Sequence, residues 1–137
     1  MAEQKAVSKY LQQTENINTW FINFKAAIEE RLRLIYEGFQ QLKKEGFAVD
    51  AVAPQAAIYL TIQINLTGKI TTSGKVLQNQ TDVTEYILNE GKVAIVPFNC
   101  FGADKNNIWY RLSVGTCKTE EIDEMLKMLK TALTKLT

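Results

Sequence analysis

Histidine is absent from the 137 residues of the chain. That removes the commonest general base, the commonest metal ligand, and every Ser-His or Cys-His pairing for nucleophilic catalysis. Cysteine is scarce: Cys100 and Cys117 lie far apart and lack the spacing of a metal or redox pair, so free thiols are expected. No apolar run approaches the length that spans a bilayer, and no membrane association is expected. The opening Met1–Ala6 has no apolar leader region, which points to a cytoplasmic address. An excess of one charge is also missing. Sixteen basic residues face fifteen acidic ones for a net charge of +1, and a nucleic-acid binder would need a surplus of Lys and Arg.

What is present suits one globular domain: 46% of residues are hydrophobic and 23% charged. Val7, Tyr10 and Leu11 give a short amphipathic start, followed by the polar stretch Gln12–Asn18. A stronger helix is expected from near Trp20. In it Ile28, Leu32, Ile35, Phe39 and Leu42 recur at steps of four, three, four and three, which holds them on one face. Lys43 and Lys44 suit its last turn, and Gly46 suits its end. Phe47–Val52 reads as a short strand closed by Pro54. Ala57–Leu66 alternates, with Ile58, Leu60, Ile62 and Ile64 on one side and Tyr59, Thr61 and Gln63 on the other. The polar segment Thr67–Gln80, with Gly68 and Gly74, reads as a hairpin or loop excursion. Asp82 and Glu85 have capping-box spacing for a short helix through Ile87 and Leu88, stopped by Gly91. Val93–Val96 is a continuous apolar run, as in a central strand, and Ile108–Val114 is a further strand. Thr119 is placed to cap a last helix whose buried stripe is Ile122, Met125, Leu126, Leu129, Leu133 and Leu136. The expected class is α+β, with a small sheet of about four strands packed against helices, amphipathic ones among them at both ends of the chain.

Few motifs carry chemistry. Gly68 and Gly74-Lys75 fail as a phosphate loop: the interval holds five residues where four are needed, and Val76 replaces the magnesium-binding hydroxyl. The adjacent acids Glu29-Glu30 and Glu120-Glu121 point in different directions on their helices and do not converge. Arg111 is different. It shares a strand face with Trp109 and Ser113, opposite Ile108, Tyr110, Leu112 and Val114. Its planar fork matches a carboxylate, and a flat aromatic neighbour can shield it. The segment alone leaves open an exposed or internally salt-bridged arginine.

Four segments then occur in order: Pro54-Gln55-Ala56-Ala57-Ile58-Tyr59-Leu60, Gly91-Lys92-Val93-Ala94-Ile95-Val96-Pro97, Phe101-Gly102, and Tyr110-Arg111-Leu112-Ser113. This series resembles the C-terminal small domain of class I/II, fold-type I aminotransferases that use pyridoxal phosphate, most of all their aspartate aminotransferase-like members. The resemblance implies that Arg111 grips the α-carboxylate of an amino acid substrate and that Tyr59 lines the substrate mouth. It implies residues 1–18 as a helical remnant leading in from a missing large domain, and residues 19–137 as the small domain. That large domain would supply the Schiff-base lysine, the acid on the pyridine nitrogen and the phosphate cup. The fragment alone is therefore expected to be inactive and to bind no cofactor, and the parent to be a homodimer acting on an amino acid and a 2-oxo acid. Two departures stand out: Phe98 follows Pro97 where the family often has Gly, which would narrow the pocket edge, and Thr67–Gln80 looks long. Two rivals remain open from the residues: a stand-alone α+β module for a small carboxylate ligand, and an interaction domain in which Arg111 is paired internally.

Overall fold

The computed structural model describes residues 1–137. Two helices come first, α1 (Ala2–Leu11) and α2 (Thr14–Lys44). α2 begins ahead of Trp20 because the polar stretch before it holds neither Gly nor Pro, so nothing stops the helix growing back toward Gln13. Its 31 residues make a rod about 46 Å long. Ile28, Leu32, Ile35, Phe39 and Leu42 are its buried residues, the stripe expected from their spacing. Past its end Gly46 takes a φ of 93°, and the N–H groups of Gly46 and Phe47 donate to the carbonyls of Lys43 and Leu42. A left-handed residue is what permits that closure.

Strands β1 (Val49–Ala51), β2 (Tyr59–Ile64), β3 (Val96–Pro97) and β4 (Trp109–Ser113) form one antiparallel sheet in the order β1-β2-β4-β3. The fold is α+β. Leu60, Ile62 and Ile64 of β2 and Tyr110 and Leu112 of β4 point into the core, while Tyr59, Thr61, Gln63, Trp109, Arg111 and Ser113 take the opposite face. The apolar face packs against α2, α3 (Gln80–Gly91) and α4 (Ile122–Thr134), which share one hydrophobic cluster with it. No helix is long and apolar enough to cross a membrane.

Several local expectations give way. Val93–Val96 is not a central strand. Val93 and Ile95 are buried, but the backbone pairs only at Val96 and Pro97, on the sheet edge. Their apolar character plugs the core beside α3 and does not reflect burial on both sheet faces. The cap of α3 is Asn79, whose Oδ1 accepts from the N–H groups of Thr81 and Asp82. Asp82 instead bonds Lys75, 2.7 Å away, and accepts from the Gln78 N–H. Thr119 does not cap α4; it opens a 3₁₀ turn, Thr119–Glu121, and the Glu121 carboxylate accepts from the Lys118 N–H.

The Thr67–Gln80 excursion is a small hairpin: Gly68 and Gly74 take positive φ at its turns, and an isolated bridge joins Ile70 to Val76. Leu66 and Leu77 anchor it in the core, and Ile70 exchanges two backbone hydrogen bonds with Thr137. Its glycines serve turns and hold no phosphate loop.

Candidate functional site

β4 is an inner strand, so its ladder is occupied on both sides: Arg111 stands opposite Thr61 of β2 and opposite Val96 of β3. Period-two alternation sends Tyr110 and Leu112 to the core and leaves Arg111 half-buried on the open face. Tyr59 sits two residues from Thr61 on β2, the diagonal position on the same face, within reach of a long side chain. Its ring centroid lies 4.4 Å from Arg111 Cζ.

A second ring comes from the other neighbour of β4. After β3 the chain makes a 3₁₀ turn, Phe98–Phe101, closed by Gly102 at a φ of 86°. That turn presents Phe101, whose centroid is also 4.4 Å from Arg111 Cζ. Arg111 makes no ion pair and no side-chain hydrogen bond within the chain. The arginine is therefore a cation flanked by two aromatic rings, with its charge unneutralised. Both rings carry the cation on their faces and steady it. Its N–H donors bond no group of the chain and remain free for a two-oxygen acceptor.

The end of β4 is held separately. Arg31 on α2 donates from Nη1 to the carbonyls of Val114, at 3.3 Å, and Gly115, at 3.1 Å. Its Nε is buried and has no partner. The Val114 N–H donates to Ile58 O, which fixes the chain just before Tyr59. Ala57 immediately upstream has a φ of 66°, a strained value for a residue with a Cβ.

The structure brings Arg111 and Tyr59 together, the two site residues named from sequence. It adds Phe101, to which the sequence reading gave no role. The available signal was Phe101-Gly102 itself: an aromatic residue before a glycine in a short apolar-to-polar junction marks a turn able to aim a ring back at the neighbouring strand. Phe98 packs against Phe101 edge to face, with centroids 6.2 Å apart. A groove of about 830 Å³ lies elsewhere, between α2 and residues 54–58, lined in part by Phe24, Ile28, Tyr36 and Ile58. Arg111 is not among its residues. No cluster of acidic or thiol side chains has the arrangement of a metal site.

Known proteins share the sequence pattern and fold of this chain. A probable aspartate/prephenate aminotransferase of Rickettsia bellii is 40% identical over 76 residues, which are 55% of this chain and 18% of that protein. The crystal structure of an aspartate aminotransferase from Rhizobium meliloti superposes with a TM-score of 0.67 at 27% identity, covering 82% of this chain and 26% of that one. Cystalysin from Treponema denticola, a structure containing pyridoxal 5'-phosphate, shares the fold, with a TM-score of 0.65 at 16% identity over 88% of this chain and 27% of that one. The chain spans about a fifth to a quarter of the length of these relatives. The family model for aminotransferase class I and II matches residues 2–129, and the chain belongs to that family.

Proposed function

We propose that this domain grips the carboxylate of an amino acid or 2-oxo acid through Arg111 in a longer pyridoxal-phosphate-dependent enzyme. That enzyme moves an amino group between the two, and the relatives' names point to an aspartate-type transaminase. The observation that carries the reading is the Arg111 guanidinium, held by Tyr59 and Phe101 and left without an anion by its own chain. Tyr59 lines the mouth of the site. Residues 1–18 lead in from a large domain, the parent is a cytoplasmic homodimer, and the fragment alone is inactive.

The cofactor, which in the parent supplies the means of labilising the bond at the substrate's α-carbon, does not fit the residues present here. Every lysine of the chain is exposed. Lys75, Lys127 and Lys135 have their pKa raised, first by hydrogen bonds to Asp82, Asp123 and Glu90. Attack on a cofactor carbonyl calls for the reverse, a desolvated amine that loses its proton readily. The share of this chain in the reaction is to bind and orient: a two-oxygen grip fixes the substrate's rotation, so that its α-carbon faces the large domain.

A stand-alone carboxylate module would account for Arg111. It leaves unexplained the exposed aromatic cluster in the first half of α2, where Trp20 stacks on Phe24 and meets Phe21 edge to face, and which calls for a covering partner.

The test uses the longer enzyme. Arg111→Ala should lower kcat/KM for the amino acid by tens- to thousands-fold, since losing a charge-assisted pair of this kind costs about 2–5 kcal/mol. An amine lacking the carboxylate should be little affected, and Arg111→Lys should recover only part of the loss, because a point charge cannot replace the fork. An alanine variant that keeps the wild-type preference for the carboxylated substrate would overturn the assignment.

A further inference from the structure

We propose that Phe98 is a positioning residue that sets the direction of the Arg111 guanidinium by acting through Phe101. The inference rests on the reading of Arg111 as a carboxylate grip and adds a residue that determines how well the grip is aimed.

The two rings that flank Arg111 are not equally secured. Tyr59 stands on β2, an inner strand paired along its length, with Tyr59 itself in register with Ser113. Phe101 stands on a four-residue 3₁₀ turn with a solvent-exposed ring: 53% of the residue is accessible. Burial therefore does not hold Phe101 in place. Apart from the cation, the aromatic contact that bears on it is the edge-to-face pair with Phe98, at 6.2 Å and 85° between planes. Such pairs are directional, because the positive edge of one ring meets the negative face of the other. Phe98 is half-buried and directly follows Pro97, which pairs with Tyr110 in the β3–β4 ladder. The Phe98 carbonyl accepts from the Ala103 N–H and ties the far side of the turn back to its start. A chain of contacts thus runs from the sheet to Phe98, to Phe101, to the guanidinium. Without the Phe98 ring, Phe101 is free to turn about its side-chain bonds, and Arg111 keeps one plate in place of two.

The chain itself can be used for the test. Nuclear magnetic resonance reads the ring-current shifts of the Arg111 δ-methylene protons, and sodium acetate serves as the carboxylate probe, followed at Arg111 Nε. Phe101→Leu defines the part of the shift that belongs to Phe101. Phe98→Leu, which keeps apolar bulk at the turn, is expected to remove much of that same part and to weaken acetate binding by about two- to tenfold. The thermal midpoint should hardly move. Phe98→Tyr, which keeps the ring, should restore both readings, and Phe98→Leu should add nothing in a Phe101→Leu background. Wild-type Arg111 shifts in Phe98→Leu would overturn the proposal. So would equal losses in Phe98→Tyr and Phe98→Leu, which would mark a merely structural side chain. Absence of any acetate response in the wild-type chain would instead overturn the grip itself, while the ring shifts judge the Phe98–Phe101 link on their own.

Discussion

Tyr110 and Arg111 are neighbours on β4 with opposite fates. Tyr110 is only 1% exposed, and burial pushes its phenol up to about 12. The same group in an unfolded chain titrates near about 10. Because the folded value lies above the unfolded one, the stability tied to the neutral phenol is complete below about pH 10 and is lost as pH rises through about 12. Thermal unfolding followed between pH 8 and 12 should show that decline, and Tyr110→Phe should flatten part of it with little change at neutral pH. Tyr86, also raised chiefly by burial, contributes to the same limb and will keep some slope. A Tyr110→Phe profile that overlays the wild type would show that the phenol is already solvated. The face of Arg111 was readable from sequence because strand alternation is strict. The meeting of Phe101 with Arg111 was not: Phe101-Gly102 signals a turn, but its ring arrives from ten residues earlier in the chain, and only the β3–β4 pairing brings the two together.

Helices α2 and α4 approach closely at Gly38, where an added methyl would collide with the Leu126 side chain. Alanine favours a helix over glycine by about 1 kcal/mol, but overpacking costs about 1–3 kcal/mol. Gly38→Ala should therefore lower stability in urea unfolding, whereas in a Leu126→Ala background the same change should be neutral or stabilising. A gain from Gly38→Ala in the wild-type background would mean that Leu126 moves aside freely. The stripe of α2 was legible because a period of 3.6 held over several turns fixes one face, and Ile28, Leu32, Ile35, Phe39 and Leu42 lie buried as their spacing requires. On α4 the expected stripe holds at Ile122, Leu129 and Leu133, while Met125, Leu126 and, past the helix end, Leu136 are only partly buried and Ala132 joins the core. Caps and short strands were less legible. Asn79, Asp82 and Thr119 are all able to bond a helix end, and tertiary contacts decide among them; Lys75 draws Asp82 away. A run such as Val93–Val96 is apolar either between two layers or as a plug beside one, and sequence does not separate the cases.

Across the molecule, order is unevenly distributed. α1 has no buried residue, and the first buried position of α2 is Ile28. A helix without tertiary contacts is marginal at these lengths. Hydrogen exchange should therefore be fast over residues 2–24 and slow over Ile28–Leu42, and removing residues 1–13 should change stability by less than about 0.5 kcal/mol. Protection of α1 equal to that of the core would show that it is docked after all. The sheet is finished differently. Its outer strands are β1, of three residues, and β3, of two residues ending in Pro97. A strand from another molecule needs a run of free N–H and C=O groups to copy, and neither border offers one. The chain is accordingly poor at templating cross-β aggregates at either border, even with its helical end uncovered.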